Sequence, residues 1–132
     1  MVTKAGPELR FRYVWLVTGY ALVILVIFLS LTSVPVDMDM SFPYQDKAAH
    51  AFAYFTLMAW FSQIYHGRLQ CFMIALLFVM LGVVLEYLQS FEPSRYAEFG
   101  DMLANTTGVA LGFIVVLTKA RYYLVKIESL FN

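Results

Sequence analysis

Charge is scarce in this sequence. Of 132 residues only 14% are Asp, Glu, Lys or Arg, where a soluble domain carries roughly 25%. A fold this small has a large surface to cover, and so few charges could not keep it in water. A basic surplus is missing as well: nine Lys and Arg balance nine Asp and Glu, which leaves no positive field to gather nucleic acid. The single cysteine, Cys71, permits no internal disulfide and leaves the redox compartment open. There is no HExxH, no CxxC, no second paired histidine and no glycine-rich phosphate loop. Ser94 has no nucleophile-elbow context and Ser41 falls in a loop, so serine-hydrolase chemistry has no foothold. Internal repeats, low-complexity tracts and a soluble appendage are also lacking.

Apolar side chains are abundant. Hydrophobic residues make up 61% of the chain and the mean hydropathy is +0.72. Disorder is excluded by the same numbers, because it goes with low hydrophobicity and high charge. The apolar residues gather into four stretches, each close to the ~20 residues that cross ~30 Å of hydrocarbon as a helix. They run over 13–34, 48–65, 71–91 and 102–118. Helices are the default spanning element because backbone amides find no water in lipid, and no period-2 alternation suggests barrel strands. The first stretch follows Lys4, Arg10 and Arg12 but is too long for a signal-peptide core, and no Ala-x-Ala site follows it. The linkers are short, so consecutive helices are expected as antiparallel neighbours. The expectation is an all-α protein: one membrane domain over 1–132, a four-helix antiparallel transmembrane bundle.

Orientation follows from the basic residues. Lys4, Arg10, Arg12, Arg68, Lys119, Arg121 and Lys126 fall on the side of the termini; Lys47 and Arg95 fall on the other. Loops rich in Lys and Arg stay cytoplasmic, so both termini are expected inside. Aromatic residues near the span ends, among them Tyr13, Trp15, Tyr44, Tyr65, Tyr122 and Tyr123, suit interfacial belts.

This topology brings the unusual polar residues to one rim. Asp46, Lys47 and His50 begin the second helix, Glu86 and Gln89 end the third, Arg95 lies in the loop, and Asp101 and Asn105 begin the fourth. Asp46 and His50 are four apart, Glu86 and Gln89 three apart, Asp101 and Asn105 four apart, so each pair shares a helix face. Small residues continue those faces. Ala104, Gly108 and Gly112 form a small-xxx-small ladder containing GxxxG, which permits close backbone approach between membrane helices. A carboxylate such as Glu86 inside a span costs several kcal/mol unless neutralised, paired or wetted, and intramembrane carboxylates are commonly functional.

Bland readings stand beside each of these. Asn105 and Gln89 can serve as interhelical glue, Asp101 as a residue favoured by the helix dipole, His50 as a satisfied interfacial histidine, and Arg95 as an anchor. A metal held by His50, Glu86 and Asp101 is chemically allowable, but without a recognised ligand motif no metal or cofactor is assigned.

The ordered string Asp46-Lys47-x-x-His50, Ala53-Tyr54, Glu86-x-x-Gln89, Pro93-x-Arg95 and Asp101-x-x-Ala104-Asn105-x-x-Gly108-x-x-x-Gly112 resembles the VanZ-like membrane protein family. It covers about half the chain, and the first helix carries no mark of the family. Ser94 stands where the family usually has a glycine. The resemblance implies a bacterial cell envelope, a family linked to low-level teicoplanin resistance, and the motif residues as the site; it supplies no biochemical activity.

Three functions remain open. In a binding module, Lys47 and Arg95 would hold a phosphate or carboxylate while Asp46, His50, Glu86, Gln89, Asp101 and Asn105 bond the rest of a head group. The ligand would be a membrane lipid, a lipid-linked envelope precursor or a glycopeptide. In an enzyme, His50 or Glu86 would act as general base, with Asp101 beside them and Arg95 stabilising an anion. In a scaffold, the GxxxG face would join a larger complex.

Overall fold

The computed structural model describes residues 9–31, 45–91 and 99–131, with side chains from Lys47 onward in the second stretch. Among these residues every regular element is helical. Four long helices pack side by side: α1 Arg12–Leu31, α2 Gln45–Ile64, α3 Arg68–Gln89 and α4 Phe99–Val116. A 3₁₀ turn, Lys119–Tyr122, and a short α5, Tyr123–Ser129, follow.

The helix bounds differ by a few residues from the hydropathy reading, for local reasons. α3 starts at Arg68 because extended Gly67 precedes it as N-cap (φ −72°, ψ 131°); hydropathy sees only the first apolar residue, Cys71. The cationic start of α1 and the polar start of α2 are helical for the same reason: a helix does not stop where its apolar face does.

Three helices are long and apolar enough to cross a membrane: α1, α3 and α4. α2 is not among them, although the sequence reading counted it as a span. Its composition reflects its position, since it is the most enclosed of the four. Tyr54, Leu57, Met58, Phe61, Ser62, Gln63 and Ile64 of α2 are all buried, and a helix walled in by others need not be apolar all round. The lipid-type surface belongs to its neighbours. Gly19 is the one buried residue of α1, while Tyr13, Val17 and Ile24 stand exposed.

Side-chain pairs set the directions. Along α2 and α4, His50 meets Asn105, Ala51 meets Gly108 and Met58 meets Gly112; the numbers rise together, so the two helices run the same way. Along α2 and α3, Phe61 meets Phe78 and Tyr54 lies within electrostatic reach of Glu86; the numbers run opposite. α1 rests on α2 through Gly19, where a methyl group would come within 2.9 Å of the Phe61 ring and 3.0 Å of Trp60.

Glycines set the tightest contact. A methyl group at Gly108 would collide with the Ala51 carbonyl oxygen, and one at Gly112 would stand 2.6 Å from Met58 Cβ and 2.9 Å from the Phe55 carbonyl oxygen. α4 therefore lies against α2 backbone to backbone, the geometry small-xxx-small ladders permit. The core formed there joins Tyr54, Leu57, Met58, Phe61, Phe78, Val109 and Val116.

The segment after α4 folds back on the bundle, a feature too short for hydropathy to reveal. Leu9, Ile64 and Leu124 form a second buried cluster. The Glu128 carboxylate accepts the Phe11 N–H through both oxygens, at 3.1 and 3.2 Å. Gln63 closes the join: its Nε2 donates to the Ala120 carbonyl at 2.7 Å and its Oε1 accepts the Leu124 N–H at 3.1 Å. The two described ends of the chain thus meet at one end of the helices.

Candidate functional site

At the opposite end, three helices bring polar groups together. Asn105, buried near the start of α4, is the hinge pin. Its side chain lies against Gly82 of α3, where an added methyl would come within 3.1 Å of Nδ2 and 3.2 Å of Cβ. Its Oδ1 is 3.1 Å from Nδ1 of His50 on α2. With the proton on Nδ1, the ring donates to the amide and presents Nε2 as an acceptor. One amide therefore touches both neighbouring helices, and Gly82 lets it sit close, since any side chain there would push the Asn105 amide aside.

Glu86 lies one turn beyond Gly82 on α3, ~6 Å along the axis. It is 2% exposed, and Tyr54 of α2, equally enclosed, is close enough to feel its charge. Asp101 lies one turn before Asn105 on antiparallel α4, and so at the level of Glu86. It is 7% exposed and pairs with Lys47, Nζ to Oδ1 3.5 Å. The Lys47 stem crosses over Gly100 to reach it, where an added methyl would crowd Cε at 2.7 Å. With its lysine half-exposed this is a rim pair, worth ~1 kcal/mol or less.

The site residues read from the sequence divide as follows. Lys47, His50, Glu86, Asp101 and Asn105 are gathered by α2, α3 and α4. Gln89 is not with them: its Nε2 donates to the Ser30 carbonyl of α1 at 2.6 Å, so it ties α1 to α3. The three-residue step from Glu86 leaves Gln89 offset by ~60° around the helix and most of a turn further along it, enough to change the neighbour from α2 and α4 to α1. The Asp46 side chain, Arg95 and the Pro93-Ser94-Arg95 loop lie outside the described residues. Ala104 is partly buried, and Gly108 and Gly112 are buried against α2. The GxxxG face is used inside this chain, which removes the surface through which a scaffold reading would recruit a partner.

Tyr54 entered the sequence analysis only through the Ala53-Tyr54 step of the family string and was given no binding or catalytic role there. Its spacing could have placed it in the cluster, since it sits four residues after His50 and so on the same face. Gln63, Arg121 and Glu128 were missed as a group. Arg121, 7% exposed, donates from Nη1 to the Val116 carbonyl at 3.2 Å and from Nη2 to the His66 carbonyl. A glutamine in an apolar stretch was the one signal available.

His66, in the α2–α3 loop at that same end, is held below the ordinary imidazole range. Burial is the main cause, opposed by a backbone hydrogen bond at Gln63 and reinforced by the Arg121 and Arg12 charges.

Chemically, the α2–α3–α4 cluster offers a carboxylate, an imidazole, an amide, a phenol and an ion pair within two helical turns. That set can bind a polar group through mixed donors and acceptors, and it includes groups able to exchange protons. No curated protein and no solved structure matches the chain. The VanZ/LLP1 family model matches residues 11–120, a span that includes every residue of the cluster and ends within the 3₁₀ turn that opens the segment folding back. On the strength of that match, the chain belongs to the VanZ/LLP1 family.

Proposed function

We propose that this protein resides in a bacterial cytoplasmic membrane and that all four long helices cross it, with both termini cytoplasmic. Its polar cluster would then face outward as a pocket for the head group of a cell-envelope lipid or a glycopeptide. The side of the termini carries seven of the nine basic residues, the distribution expected of cytoplasmic loops. The observation that carries the binding role is Glu86, a carboxylate 2% exposed at the level of Asp101 and one turn from the His50–Asn105 bond. A group so costly to bury is retained in membrane helices chiefly where it does work.

Full-length protein in nanodiscs, incubated with undecaprenyl phosphate or with teicoplanin, provides the test. Wild type retains at least one of them, and Glu86→Gln and His50→Ala lower retention about ten-fold, as expected for loss of a hydrogen bond to a charged group. Equal retention by all three proteins would overturn the reading. The catalytic alternative has one observation in its favour, the orientation of the His50 ring by Asn105. It would show as turnover of the lipid-linked probe that both variants abolish.

A further inference from the structure

A cleft of about 570 Å³ opens between α1, α2 and α3, in the half of the bundle nearer the described ends of the chain. It arises because α1 is fastened at separate points: on α2 at Gly19, and on α3 at its far end through Gln89 and Ser30. On the side of the start of α3, away from the Gln89–Ser30 tie, the seam of α1 and α3 is open. Its walls are Tyr20 of α1, Phe61 of α2, and Leu69, Ile74, Leu77 and Phe78 of α3. Leu69 and Leu77 at the lip are 74% and 63% exposed. The volume falls in the range of ligand sites, roughly 300–1,000 Å³, and the lining from Leu69 to Phe78 extends ~13 Å along the helix.

The mouth of the cleft is cationic. Tyr65, which lines it, carries the Arg12 guanidinium over its ring at 5.2 Å. Arg68 is exposed at the start of α3, next to the lining residue Leu69. Basic pockets between membrane helices hold anionic head groups, and the aromatic residue at the mouth sits at head-group depth. We infer that this cleft binds one anionic phospholipid from the leaflet facing the termini, its acyl chain along the α1–α3 seam and its phosphate between Arg12 and Arg68. An apolar trough with two arginines at one end matches that molecule. A free phosphate would gain nothing from the trough, and an apolar helix would leave the arginines without an anion. The site is separate from the polar cluster at the other end and does not depend on that cluster's role.

Native mass spectrometry of the full chain, released from nanodiscs holding equal fractions of phosphatidylglycerol and phosphatidylcholine with the same acyl chains, tests it. The wild type carries phosphatidylglycerol over phosphatidylcholine by at least about five-fold, the factor expected from one juxtamembrane arginine. Arg12→Gln combined with Arg68→Gln abolishes the preference, and Leu77→Trp lowers both adducts. The wild-type comparison stands even if a variant fails to fold. Equal adducts of the two lipids on the wild type, or a preference that survives the double arginine variant, would overturn the proposal. So would a dimer mass that Leu77→Trp removes, since a second copy would then occupy the cleft.

Discussion

Arg121 directs its guanidinium at main-chain carbonyls, those of Val116 and His66, where a carboxylate would be the usual partner. Both acceptors sit where a helix has ended or a loop turns, positions at which carbonyls lack an intrahelical partner. One planar fork satisfies two of them at once, and its flank lies 5.4 Å from the Tyr122 ring. Replacing it by methionine keeps the apolar stem and strands both oxygens. Arg121→Met is therefore expected to lose about 1–3 kcal/mol, seen as a lower unfolding midpoint in detergent, while Arg121→Lys recovers part of the loss. An unchanged midpoint for the methionine variant would mean that water reaches those carbonyls.

Among the helices, the pairing of α2 with α4 is the least forgiving. At Gly108 the obstacle to a side chain is the Ala51 carbonyl oxygen, part of a helix backbone; at Gly19 it is the edges of the Phe61 and Trp60 rings. Rings can rotate away at modest cost, whereas a helix backbone moves only if the whole element shifts. Gly108→Ala should thus destabilise by ~1–3 kcal/mol, the range for overpacking, and clearly more than Gly19→Ala. Thermal unfolding of the two variants side by side checks the order. Because His50 and Asn105 sit about one turn from that contact, Gly108→Ala should also weaken ligand retention, while Gly19→Ala should not.

For the protein as one body, the two ends differ in how they respond to pH. His66 sits below its ordinary value of about 6.5 when folded, mainly through burial. Between that value and the folded one, the unfolded chain binds a proton that the folded chain refuses. Stability from this group is therefore complete above about 6.5 and declines as pH falls through the folded value. A melting series between pH 7.5 and 5, taken as an approximate window around that value, should show falling stability in the wild type and a flatter profile in His66→Asn. The same end carries the described termini, which gives a test of orientation. In a Cys71→Ser background, Leu130→Cys should react with an impermeant maleimide only after cell lysis, and Ser41→Cys in intact cells. The reverse pattern would invert the proposed topology.

Membrane residence, helical class and the polar rim were legible from composition and spacing alone, because hydrocarbon imposes on each span a length and a polarity that neighbours do little to change. The same logic gives no reason for α2 being less apolar than the other three; its moderate polarity reflects enclosure by other helices, and enclosure is a property of packing. Spacing placed Glu86 and Gln89 on a common face, yet only the crossing of α1 over the end of α3 directed Gln89 to Ser30 and left Glu86 with α2 and α4. Gln63, Arg121 and Glu128 had no meaning until residues 119–131 folded back onto the start of α1 and the end of α2, where Arg121 meets His66, Gln63 meets Ala120 and Glu128 meets Phe11. Hydropathy sums each stretch over its own neighbours in sequence; these partners lie more than fifty residues apart, and their meeting depends on where the helices come to rest.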